Sequence, residues 1–67
     1  MIEKSYYTGN VREARYDDET LSITFSGGET YRYLNVPSAV ALPLFEAESA
    51  GKYLNEHVKG KYEVKKV

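Results

Sequence analysis

Two short runs carry the residue types that can recognise a ligand: Tyr31-Arg32-Tyr33 and Ser49-Ala50-Gly51-Lys52. The chain has seven tyrosines, at positions 6, 7, 16, 31, 33, 53 and 62, against two phenylalanines and no tryptophan. A protein that needed only core volume would use Phe, Leu and Ile, because each buried phenol must find a hydrogen-bond partner. Tyrosine suits recognition: it offers a rigid apolar face, one polar handle and little entropy to lose. Tyr31 and Tyr33 stand two apart, so on a strand both rings leave one face and Arg32 leaves the other. Two rings on one face can stack bases, each stack contributing roughly 1–3 kcal/mol. They can equally well cover the core. Hairpin register decides between these readings. A two-residue Gly27-Gly28 loop sets Tyr31 opposite Thr24, away from Phe25; a three-residue Ser26–Gly28 loop sets it opposite Ile23, in the core.

In the second run, Ser49 is a helix N-cap. The free N–H groups of Gly51 and Lys52 then sit at the positive end of the helix dipole, and glycine lets a ligand approach the backbone. Lys52 adds a point charge. This is the chemistry of a phosphate or carboxylate site; the plainer reading is an ordinary cap beside an exposed lysine.

Nothing in the sequence assembles a catalytic set, which needs several positioned groups. His57, the sole histidine, falls late in an expected helix, where a cation is mildly favourable. Asp17, Asp18 and Glu19 form a solvated turn rather than a cation site. No serine has a nucleophile-elbow context and no glycine pattern forms a phosphate loop. With no cysteine and one histidine, a disulfide and a His/Cys zinc site are excluded. The expectation is a protein without catalytic residues, metal or cofactor.

The elements that must position these runs are legible in part. Leu21, Ile23 and Phe25 alternate with Ser22, Thr24 and Ser26, which is strand periodicity. Val11–Tyr16 precedes it across the Asp17–Thr20 turn, and Glu29–Leu34 follows. The expected fold class is α+β: a three-stranded antiparallel meander packed against two short C-terminal helices. The first helix begins with Pro37 at its first position. Val40, Leu44 and Phe45 recur at helical spacing, and Pro43 should kink or break the helix near Leu42. The second helix starts at Ser49, turns Tyr53, Leu54 and Val58 inward and Asn55 and Glu56 outward, and stops at Gly60. Residues 1–9 read as a loose lead-in. Lys61–Val67 alternates Tyr62 and Val64 with Glu63 and Lys65, and either adds a short edge strand or trails.

At 67 residues the chain is one domain, spanning 1–67. A domain this short buries only about 60% of its unfolded surface, so a homo-oligomer is expected, with a marginal monomer as the alternative. No apolar run nears the ~18 residues of a membrane span, and the first ten residues have no apolar leader segment. The lack of cysteine also suits a reducing compartment. Together these point to a cytoplasmic protein with no membrane partner. Net charge is −1, which argues against a broad nucleic-acid surface. Asp17 to Glu48 holds six acids and one base, whereas Lys52 to Lys66 holds five bases and two acids. A local anion site fits that asymmetry.

Tyr16-Asp17, Leu21–Phe25, Gly28, Tyr31-Arg32-Tyr33, Val36-Pro37, Ala47–Tyr53, Asn55 and Tyr62 occur in an order that resembles the KTSC domain. That domain has a central Tyr-x-Tyr motif and a Ser-x-Gly-Lys segment followed by Asn. The resemblance spans about residues 5 to 62; Pro43 departs from the regular helix of the family. It implies carried-over site residues Tyr31, Tyr33, Ser49, Gly51, Lys52 and Asn55, to which chemistry adds Arg32 and Tyr62 for phosphate and base contacts. The family includes C-terminal domains of lysyl-tRNA synthetases, which implies RNA as a partner. It also includes standalone phage and bacterial proteins, some similar to anti-CBASS sponges that sequester cyclic dinucleotides in a tetramer. The sharpest expectation is therefore nucleotide binding without turnover: a phage immune-evasion sponge for a cyclic dinucleotide of the 3′,3′-cGAMP type. The alternatives are an RNA-binding accessory module and a protein-interaction module with tyrosine anchors.

Overall fold

The computed structural model describes residues 1–7 and 9–67. The chain is α+β, as expected, but the sheet has five strands, not three. They are β1 (Ile2–Ser5), β2 (Val11–Asp17), β3 (Thr20–Phe25), β4 (Thr30–Tyr33) and β5 (Val64–Lys66), in the spatial order β1-β2-β3-β4-β5 with every neighbour antiparallel. Helices α1 (Ser38–Leu44) and α2 (Ala50–His57) lie between β4 and β5 in the chain.

The two added strands correct the reading of residues 1–9 as a lead-in and settle the open reading of 61–67. Both are edge strands, and all seven of their residues are exposed. β1 has no hydrophobic alternation to announce it, and the brief alternation of Tyr62 and Val64 with Glu63 and Lys65 is too short to decide β5. Backbone pairing against β2 and β4 makes them.

The β2–β3 turn is a two-residue hairpin, with Asp17 opposite Thr20 and positive φ at Asp18 (49°) and Glu19 (59°). Positive φ at both central positions matches the right-handed twist of the strands. The Glu19 carbonyl accepts from Val36 N–H at 2.9 Å, so this turn also anchors the exit from β4.

The β3–β4 connection is the three-residue loop. Ile23 pairs with Tyr31 and Thr24 with Thr30; Phe25 N–H donates to Glu29 O at 2.8 Å and Gly28 N–H to Phe25 O at 2.8 Å. Gly28 has φ 95°, a conformation that favours glycine. This register places Val11, Ala14, Leu21, Ile23 and Tyr33 on the covered face. The opposite face presents Glu13, Arg15, Ser22 and Arg32, as an antiparallel sheet with one solvated side should.

The helices close the core. Val36, Ala41, Leu44, Ala50, Leu54 and Val58 are buried against the sheet, each large side chain stabilising the fold by about 1.5–3 kcal/mol. Pro37 is the extended N-cap of α1, one place earlier than expected (φ −68°, ψ 154°). Its carbonyl accepts from Val40 and Ala41 at 2.9 and 3.0 Å. Pro43 does not interrupt the helix at Leu42. α1 runs on to Leu44, and tighter turns follow, Phe45 N–H to Leu42 O and Glu46 N–H to Pro43 O, both at 3.1 Å. A proline this close to the end forfeits one hydrogen bond rather than a helix.

α2 starts as its sequence requires. Ser49 is extended and its hydroxyl oxygen accepts from Lys52 N–H at 3.2 Å. The helix closes at His57, and Lys59 N–H reaches back to Leu54 O at 2.8 Å before Gly60 turns the chain at φ 79°. No helix among the described residues is long and apolar enough to cross a membrane.

Candidate functional site

The three-residue hairpin loop decides the fate of the Tyr-x-Tyr run. Tyr33 is 3% exposed and part of the core. Burial pushes its hydroxyl above the ordinary phenol value, and neighbouring Tyr31 adds to the rise. Tyr31 is half-buried and meets Phe25 edge-to-face, with ring centroids 5.6 Å apart. Both tyrosines line a small hollow of about 270 Å³ with Phe25, Glu29 and Lys59. Two charged residues, Lys59 and Glu29, line that hollow. Lys59 Nζ stands 5.5 Å from the Phe25 ring centre, and Lys66 Nζ pairs with Glu29 at 2.8 Å. Arg32 leaves the other face, opposite Ser22 and Lys65. It cannot join the two rings.

The Ser-x-Gly-Lys run borders a different hollow, also about 270 Å³, lined by Tyr6, Tyr7, Asn10, Glu48, Ser49 and Gly51 among others. A Cβ added at Gly51 would meet Asn10 and Val11 side chains at 3.9 Å, ordinary contact distance. Glycine is thus not forced there by crowding among the described residues. Lys52 and Asn55 are exposed on α2 and line neither hollow, and Tyr62 is half-buried against the core. The eight sequence-derived residues are therefore split. Tyr31 and Tyr33 share one hollow, Ser49 and Gly51 share another, and the two hollows have no lining residue in common among the described residues.

The larger concavity went unread in the sequence. Ser5, Tyr6, Tyr7, Arg12, Glu13 and Thr24 surround about 650 Å³ where β1 ends and β2 begins. Tyr6 and Tyr7 line this cavity and the one at the start of α2. Tyr7 is 98% exposed, unlike any aromatic ring that supports the core. The Tyr6 hydroxyl is buried without a hydrogen-bond partner among the described residues, and burial raises its pKa. Lys4 Nζ lies 5.3 Å from the Tyr6 ring centre. The only sequence signal was the Tyr6-Tyr7 doublet near Gly9 and Arg12, in a segment with no periodicity.

Two further tyrosines account for much of the unusual composition. Tyr16 donates to Val36 O and Tyr53 to Val40 O, both at 2.7 Å. Tyr16 braces the segment entering α1 and Tyr53 braces α1 itself, a structural use of the polar handle. The aromatic doublet, Arg12 and the free N–H groups at the start of α2 can together stack on a planar group and neutralise an anion. Glu13 and Glu48 work against the second task.

Comparison with known proteins agrees with the sequence resemblance. A KTSC domain protein from Yersinia pestis superposes with a TM-score of 0.85 at 29% identity, covering 98% of this chain and 96% of that one. A protein from Tsukamurella paurometabola is 39% identical over 54 residues, 78% of this chain and 81% of that protein. A lysine–tRNA ligase from Trichormus variabilis is 37% identical over 54 residues, and the match spans only 10% of the ligase. The KTSC domain model matches residues 8–62, and the chain belongs to the KTSC domain family.

Proposed function

We propose that this chain binds a nucleotide without turning it over, at the adjoining hollows bordered by Tyr6 and Tyr7. The single observation that carries the reading is the fully exposed Tyr7 ring on the rim of a 650 Å³ cavity that also holds Arg12, next to the Ser49–Gly51 backbone. A base stacks on the ring; phosphate lies toward Arg12 or the capped start of α2. In its sharpest form the chain sequesters a cyclic dinucleotide signal, which offers two bases and two phosphates, and so serves immune evasion. This assignment moves the stacking role from Tyr31 and Tyr33 to Tyr6 and Tyr7, and the cation from Arg32 to Arg12.

A second reading has its own support. Relatives of this chain include lysine–tRNA ligases, enzymes that act on an RNA, so an RNA-binding accessory role follows by kinship. The two readings differ in salt dependence, because a ligand contacting several phosphates releases counterions and loses affinity steeply as salt rises.

A thermal-shift panel of cyclic dinucleotides, mononucleotides and short RNAs, followed by calorimetry, tests both. A ligand held at about a hundred times its Kd adds ~2.7 kcal/mol of stability. Sequestration requires sub-micromolar affinity for a cyclic dinucleotide that is recovered intact. Tyr7→Ala should then weaken binding by about tenfold or more, the loss of one stack. Glu48→Gln should tighten it. A panel in which nothing stabilises the protein rejects nucleotide binding.

A further inference from the structure

The outer edge of β5 is an open hydrogen-bonding surface with a register written into it. Leu34 N–H donates to Glu63 O and Val67 N–H to Thr30 O, while Arg32 faces Lys65 between them. Residues 63, 65 and 67 therefore turn their backbone groups toward β4. By the alternation of an antiparallel ladder, Val64 and Lys66 present theirs outward. No proline or bulge blunts this edge. Val64 is 44% exposed and Val67 65%. The usual guard of an edge strand is lysine, and here one of the two is already engaged, since Lys66 pairs with Glu29 at 2.8 Å. Lys65 stands directly across from Arg32, a like-charge cross-strand pair that is unfavourable in itself. Neither cation has an acidic partner among the described residues.

We propose that β5 pairs antiparallel with β5 of a second copy of this chain, about a two-fold axis at Val64. Side-chain parity requires the axis to pass through a residue, so that covered faces stay on one side of the joined sheet. Centring on Glu63 sets two glutamates face to face. Centring on Lys65 or Lys66 sets two lysines face to face. Centring on Val64 sets valine against valine, with its outward N–H and C=O exchanging hydrogen bonds across the axis. It also brings Glu63 of each copy against the partner's Lys65 at the closely spaced, non-hydrogen-bonded position. The Arg32–Lys65 cluster then gains its missing acid on the polar face. The result is a continuous ten-stranded sheet with a self-complementary interface. Because the paired segment is short, the dimer is a weak one, concentration-dependent in the micromolar range. The proposal is independent of any ligand.

Sedimentation equilibrium of the full chain, over about 1 to 300 µM protomer, measures it. The wild type should shift from monomer toward dimer across that range. Glu63→Lys alone and Lys65→Glu alone should each weaken the dimer about tenfold, because two attractive pairs become repulsive. The double exchange E63K/K65E should restore it. Val64→Pro removes an outward N–H while leaving the β4 pairing, a substitution edge strands tolerate, and should abolish the dimer with the circular dichroism unchanged. A wild type that stays monomeric throughout overturns the proposal. So does a dimer indifferent to the single exchanges, or one the double exchange fails to restore. Should V64P unfold, the charge-exchange series still decides.

Discussion

Glu19 holds φ 59° in the β2–β3 hairpin with a full side chain, where glycine would sit without strain. The left-handed conformation costs an L-residue roughly 1–2 kcal/mol. It persists because the same backbone directs the Glu19 carbonyl onto Val36 N–H, fixing the turn into α1. Glu19→Gly should therefore stabilise the fold by about 1 kcal/mol, a rise in thermal midpoint of about 4–8 °C for a domain this size. Unchanged or lowered melting would show that the Glu19 side chain contributes more than its backbone strain removes. The tyrosines divide by the same kind of local bookkeeping. Tyr16 and Tyr53 spend their hydroxyls on backbone carbonyls, whereas the Tyr7 ring is almost fully exposed. Composition showed an excess of phenols, but only their partners separate the braces from the candidate contact.

At the level of elements, α2 is the one whose start, stop and inward stripe were all readable: the Ser49 cap, buried Leu54 and Val58, and the turn at Gly60. Each of these signals is local, acting within one or two helical turns. Ser49→Ala should cost about 1 kcal/mol through the lost Lys52 N–H bond, while Ser49→Gly costs only a few tenths. Chemical denaturation of the two variants measures the difference. Equal losses would mean the side chain does something other than cap. Edge strand β1 was illegible, and β5 only half legible, for the opposite reason. Nothing in Ile2–Ser5 alternates, Tyr62 and Val64 alternate with Glu63 and Lys65 over too few residues to decide, and the partners of both strands lie closer to the middle of the sheet. Pro43 misled in a milder way, because its effect depends on how near it falls to a helix end that packing sets.

For the molecule as a whole, burial lifts the pKa of Tyr6, Tyr16 and Tyr33 above the ordinary phenol value of 10.0, with Glu19 adding to Tyr16. The folded state thus holds these protons more tightly than the unfolded chain does. Their contribution to stability is whole below pH 10.0 and is lost as pH climbs through the raised values. An alkaline titration followed by tyrosinate absorbance and by circular dichroism should show part of the phenol ionisation coinciding with unfolding. Complete ionisation of all tyrosines with the fold intact would contradict this.

The amino-acid sequence by itself determined the α+β class, the family, the meander from β2 to β4 and the capped second helix, because alternation, caps and turn residues act over a few neighbours. It did not determine the number of strands, the face taken by Tyr31 and Tyr33, or which residues share a hollow. One residue of loop length between Phe25 and Glu29 sends those rings to the core, and the ladder then sends Arg32 to the far side. The convergence of Tyr6, Tyr7 and Arg12 with Ser49 and Gly51 joins segments nearly forty residues apart. Sequence spacing carries no trace of such a meeting, since it is made by packing the helix layer onto the sheet.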